Sequence, residues 1–72
     1  TDNYSIYERK VPKDWFGKSL SQIDIRKKFK INILTIKRGE EVFIPSPDTV
    51  IETDDIAFVI GEVRDIQKCF RI

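Results

Sequence analysis

Five consecutive apolar residues, Ile56-Ala57-Phe58-Val59-Ile60, form the longest hydrophobic run of this chain. A run of that length, closed by Gly61-Glu62 and opened by the polar turn Thr53-Asp54-Asp55, suits a strand buried on both faces. It is far short of the roughly 20 residues that a membrane-crossing helix needs. With 72 residues in all, the chain has room for one domain around that strand. A chain so short buries only about 60% of the surface its unfolded form exposes, so oligomerisation or attachment to a larger protein is an expected source of stability. The opening Thr1-Asp2, without methionine, points to an excised or processed piece of a larger protein.

The remaining elements fall around this centre. Tyr4 to Val11 alternates in part and reads as a strand stopped by Pro12. Trp15-Phe16-Gly17 makes an apolar knuckle ahead of Ser19-Leu20-Ser21-Gln22, which matches a capping box, so a helix is expected over about Leu20 to Phe29. Leu20 and Ile23 share one face of it, whereas Ile25 and Phe29 share a roughly opposite one. Either Ile25 and Phe29 reach round the helix end into the same core, or the second edge meets a partner chain or a ligand.

Ile31 to Arg38 is rich in β-branched residues, with Asn32, Leu34 and Ile36 on one side and Ile31, Ile33 and Thr35 on the other. Gly39-Glu40 supplies a two-residue hairpin turn with glycine where positive φ is required, and Glu41 to Ile44 returns. The stiff Pro45-Ser46-Pro47-Asp48 segment follows. Val63, Ile66 and Phe70 at i, i+3 and i+7 give a short C-terminal helix. The expected fold is α+β: a small, mainly antiparallel sheet in the order β-α-β-β-β-α, with two helices.

Catalysis has little to work with. There is no histidine, and the lone Cys69 has neither a disulfide partner nor a base, which fits an intracellular, reducing setting. Asp54-Asp55 reads as a turn pair, and the three glycines are too scattered to cradle a phosphate. Net charge is +1, but Arg26 to Arg38 holds six basic residues and no acid. Such a run is either a solvated face or the side presented to an anionic ligand. Beyond Phe29 it lacks stacking aromatics, which argues against direct nucleic-acid contact.

Several blocks then occur in a telling order: Gly17-Lys18-Ser19-Leu20 through Asp24-Ile25-Arg26 to Phe29, Ile31-Asn32-Ile33, Ile36-Lys37-Arg38, Ile44-Pro45-Ser46-Pro47-Asp48-Thr49-Val50, and Asp55-Ile56-Ala57-Phe58-Val59-Ile60-Gly61. Together they resemble the TrkA-C family, the RCK C-terminal domain, over about residues 4–68. Two departures are Lys30, where the family often has glycine, so that Lys30 either takes a left-handed cap at some cost or ends the helix differently, and Asp54, where the family has the glycine of Gly-Asp and aspartate tolerates the left-handed turn.

The resemblance implies a cytosolic regulatory domain, not an enzyme, of a bacterial potassium or other cation transporter. It lies peripheral to the inner face of the membrane through its parent or partner and does not insert itself. It implies a homodimer with a membrane transporter or channel subunit as a further partner. No cofactor is implied; the possible regulatory ligand is cyclic di-AMP, in the cleft between two copies. The matching ligand positions are Asp24, Ile25, Arg26, Ile31, Asn32, Ile33 and Pro45. Arg26 has the chemistry to hold a phosphate oxygen, and Asn32 offers donors and an acceptor to an adenine edge. Alternatively, Arg26 pairs with an acid and Asn32 caps a helix end or turn. Two other functions stay open: a dimerisation module that senses nothing, and the C-terminal sensor of a transcription regulator.

Overall fold

The structure, a computed structural model, describes residues 3–72. The apolar run forms the inner strand of a four-stranded antiparallel sheet. Strands β1 (Tyr4–Lys10), β2 (Asn32–Arg38), β3 (Glu41–Phe43) and β4 (Ile56–Glu62) lie in the order β1-β4-β2-β3. Between β1 and β2 come a 3-10 turn (Lys13–Trp15) and two short helices, α1 (Leu20–Ile23) and α2 (Ile25–Lys28). Helix α3 (Val63–Phe70) follows β4 directly. The expected α+β order is thus observed, with the first helix in two pieces.

Alternation on β4 divides the sheet faces. Ala57, Val59 and Gly61 point inward, joined across the ladder by Ile33, Ile36 and Tyr7, while Ile56, Phe58 and Ile60 lie on the outer face. Ile23 and Ile25 from the helical pair, Trp15, Ile51, and Ile66 and Cys69 from α3 close the core over the inner face. Trp15 also meets Phe70 of α3, with ring centroids 5.7 Å apart. The outer face keeps Tyr4, Ile6 and Val42 more than half exposed.

Three local departures from simple periodicity decide the packing. First, α1 and α2 are not one helix. Asp24 has φ 59° and ψ 48°, in the left-handed region, and turns the chain between them. Ile23 and Ile25 both enter the one core, and Leu20 and Phe29 pack against it. The two apolar edges expected of a continuous helix therefore converge, and the second edge meets the core of its own chain.

Second, the β2–β4 register jumps between Ile33 and Thr35. The bulge at Leu34 resets the alternation, so Ile36 lies beside Ala57 on the same face as Ile33, opposite to the strict-alternation expectation. Third, β4 continues through Gly61 instead of stopping there. A Cβ on Gly61 would stand 2.7 Å from Ile31 Cγ2, so glycine here permits close approach of β4 to the chain entering β2.

The turns follow their residue chemistry. Ser19 Oγ accepts from the Gln22 amide at 3.3 Å, and Gln22 Oε1 accepts from the Ser19 amide at 2.8 Å, completing the capping box. Gly39 takes φ 63° in the β2–β3 turn. Asp54 adopts φ 68°, the left-handed turn expected of it, and Lys30 takes φ 60°, the first of the two alternatives open to it. Among the described residues no helix is long and apolar enough to cross a membrane.

Candidate functional site

Three segments meet beside the α1–α2 turn and enclose a depression of about 280 Å³. The turn supplies Leu20, Ser21, Asp24, Ile25 and Arg26; the entry to β2 supplies Ile31, Asn32 and Ile33; the proline segment supplies Pro45, Ser46 and Pro47. Backbone hydrogen bonds fasten the third wall to the first: the Ser21 amide donates to Pro47 O at 3.0 Å, and the Leu20 amide donates to Thr49 O at 3.1 Å. The wall is also tied within itself, since the Ser46 amide donates to Thr49 Oγ1 at 2.9 Å and the Thr49 amide returns to Ser46 O at 3.0 Å. Two prolines and these bonds make a stiff edge.

All seven residues singled out from the sequence lie along this depression. They differ in what they present. Ile31 is fully buried and Ile25 nearly so, so both shape the floor from behind. Ile33 and Pro45 are half-buried and offer apolar surface. Asp24, Arg26 and Asn32 are exposed at the rim. Among the described residues Arg26 makes no ion pair, so the duller reading of that side chain has no acid to support it. Asn32 likewise makes no side-chain hydrogen bond there. Leu20, Ser21, Ser46 and Pro47 complete the lining without having been singled out, because Leu20 reads as a core-facing helix residue and the other three as capping and turn residues.

The basic run does not act as one surface. Arg38, at its end, turns to Asp55 in a forked pair: Nε donates to Oδ1 at 2.9 Å and Nη2 to Oδ2 at 2.8 Å. Arg38 Nη2 also donates to Val50 O at 3.0 Å, and Nη1 lies 3.0 Å from Glu52 Oε2. Asp55 is fully buried, and the Glu52 amide donates to its Oδ2 at 2.9 Å. Burial by itself would push the Asp55 carboxyl up, but the hydrogen bonds from Arg38 and the Glu52 amide outweigh it and hold the group below its ordinary value. The Arg38 guanidinium is raised by its hydrogen bonds to Asp55. Asp55 is therefore more than a turn residue. It anchors the far end of the proline segment to β2, a role the sequence signals only through one arginine and two nearby acids.

Burial pushes the Cys69 thiol up to about 12, away from a reactive thiolate. Among the described residues no group of three or more His, Cys, Asp or Glu could hold a metal ion.

Comparison with known proteins follows the same lines. The chain is 41% identical over 69 residues to Ktr system potassium uptake protein C of Bacillus subtilis (strain 168), covering 94% of this chain and 31% of that protein. It thus spans about a third of the length of that curated relative. A solved structure of the RCK C domain of the potassium transport protein KtrA, in complex with cyclic diadenosine monophosphate, superposes with a TM-score of 0.86. It is 40% identical, and the match covers 93% of this chain and 80% of that one. The RCK_C domain dimer of S. agalactiae BusR, 23% identical, shares the fold with a TM-score of 0.78, over 96% of this chain and 93% of that one. The description of the TrkA-C domain matches residues 6–72, and the chain belongs to that family of regulatory domains.

Proposed function

We propose that this domain senses cyclic di-AMP for a bacterial potassium-uptake system, binding one dinucleotide between two copies of itself at the depression beside Asp24. The observation that carries the reading is the gathering of Arg26, Asn32, Ile33 and Pro45 on one concave surface, with Arg26 and Asn32 unengaged among the described residues. A guanidinium free of carboxylate partners suits a phosphodiester oxygen. An amide with two donors and an acceptor suits the edge of adenine, and Ile33 with Pro45 suits its face.

Size supports the role of a second copy. About 280 Å³ lies at the bottom of the range that encloses a small ligand, so one copy can cover only part of a dinucleotide. Cyclic di-AMP has twofold symmetry, and an isologous pair would present the same wall to each half. The 40% identity with a KtrA domain solved with this nucleotide supports the choice of ligand. The likeness to uptake protein C supports the potassium system as parent, with a membrane transport subunit as its partner on the cytoplasmic side. The role is regulation, not catalysis. The alternative of a transcription regulator has only a shared fold behind it, at 23% identity.

Isothermal calorimetry with cyclic di-AMP tests the reading. The expected stoichiometry is one nucleotide per two chains, with Arg26→Ala weakening binding by about tenfold or more, the worth of a charge-assisted contact. No heat and no thermal shift at high micromolar nucleotide would remove cyclic di-AMP, and one nucleotide per chain would contradict the shared cleft.

A further inference from the structure

In a continuous helix, successive side chains are about 100° apart, so a residue at i+3 returns close to the face of residue i, and a residue at i+2 lies nearly opposite. Ile23 is in the core. A continuous helix through this region would accordingly turn Arg26, three positions on, toward the core and carry Ile25 away from it. The structure does the reverse: Ile25 is 4% exposed and Arg26 is exposed at the rim of the depression. The whole exchange happens at one residue. The Asp24 amide still donates to Leu20 O at 2.9 Å, and Asp24 O still accepts from the Lys28 amide at 2.9 Å, so a helical ladder runs up to Asp24 and resumes from it. Only the left-handed φ and ψ of Asp24 separate the two turns. Its carboxylate caps neither helix and forms no hydrogen bond or ion pair among the described residues.

We infer that Asp24 is a positioning residue whose left-handed backbone sets Arg26 at the edge of the ligand depression and Ile25 in its floor. This rests on the reading of the depression as the nucleotide site. Aspartate, asparagine and glycine enter the left-handed region at lower cost than other residues, while alanine favours the continuous helix. The identity of residue 24 therefore governs where residue 26 stands.

Four variants separate backbone from side chain. Asp24→Gly and Asp24→Ala both lack the carboxylate, so a difference between them reports the backbone alone. Asp24→Asn tolerates the left-handed region and Asp24→Ser does so less well, which supplies a second pair if the alanine variant fails to fold. Titrated with cyclic di-AMP well below their melting temperatures, the glycine and asparagine variants are expected to bind about tenfold or more tightly than the alanine and serine ones. A residue that served only stability would move the melting temperature and leave the affinity of the folded protein equal across the set.

Nuclear magnetic resonance supplies an arm that needs no ligand. Cα shifts over residues 19–29 should show an interrupted helix in the wild type, glycine and asparagine proteins, and a continuous one in the folded alanine or serine protein. Equal affinities, or the interrupted pattern in every variant, overturn the inference. A wild-type protein that binds no cyclic di-AMP sinks the nucleotide site instead, leaving the shift pattern to decide the role of Asp24.

Discussion

Replacing Asp55 with asparagine keeps the size of a fully buried side chain and removes the charge opposite Arg38. Asp55 accepts three hydrogen bonds of 2.8 to 2.9 Å, two from the guanidinium and one from the Glu52 amide. In the Asp55→Asn protein one of its two oxygens becomes an amide donor that faces donors. Breaking a fully buried pair from one side costs about 3–5 kcal/mol. The Arg38 side chain is 29% exposed and keeps Glu52 and Val50 as partners, so water and those groups offset part of the loss and about 2–3 kcal/mol is expected here.

At about 0.05–0.15 kcal/mol per residue, a 72-residue domain has roughly 4–11 kcal/mol in total, so this single change removes a large share. Converted at about 4–8 °C per kcal/mol, the melting temperature should fall by about 8–24 °C, read by circular dichroism at pH 7. The pH dependence carries a sign that size alone does not predict. The Asp55 carboxyl is held below its unfolded value, so its contribution is present above the unfolded pKa and is lost as pH falls through the lower folded one. The gap between wild type and Asp55→Asn should therefore narrow as the pH falls below about 4. A fall of less than about 4 °C at neutral pH, or a gap equally wide at pH 3, would refute the anchoring role.

The close approach at Gly61 predicts that Gly61→Ala, by pushing on the buried Ile31, costs about 1–3 kcal/mol in urea unfolding, whereas a solvent-facing strand glycine would gain from alanine. Lys30 holds φ 60° at an exposed position, so Lys30→Gly should raise stability by up to about 1 kcal/mol in the same assay, and a loss would show that the lysine side chain has a contact of its own. The Cys69 thiol, buried and pushed up to about 12, should react with a thiol reagent at pH 8 only through unfolding, at a rate that rises with urea; fast modification of the folded protein would place it elsewhere.

Most of this architecture is legible in the sequence, because two signals there are local and strong. One is punctuation: the Ser19 to Gln22 capping box, Gly39-Glu40 between two β-branched stretches, and the proline segment each act within a few residues. The other is the apolar run, which forms the inner strand β4 as its composition suggests, although burial on both faces does not follow: Ala57 and Val59 are buried, while Ile56, Phe58 and Ile60 stay half-buried on the outer face. What is not legible has in each case a cause outside the window in which a pattern repeats. The bulge at Leu34 adds one residue to β2 opposite β4, and strict alternation then places Ile36 on the wrong face. The Arg38–Asp55 pair joins residues 17 apart, so an arginine in a basic run and an aspartate in a turn look solvated until the fold brings them together.

The candidate site divides along the same line. Its residue types became legible through resemblance to a family, and their convergence on one depression required the three segments to be folded together. The odd feature of helix 20–29, two apolar edges on one amphipathic segment, is the exception that carries across both. Neither a second core nor a partner is needed to explain it, because one left-handed aspartate turns both edges to the same side. That turn brings Ile25 inward and leaves Arg26 outward, so the packing of the core and the exposure of the candidate phosphate contact are settled by the same backbone conformation. A substitution that straightens the helix must disturb both at once.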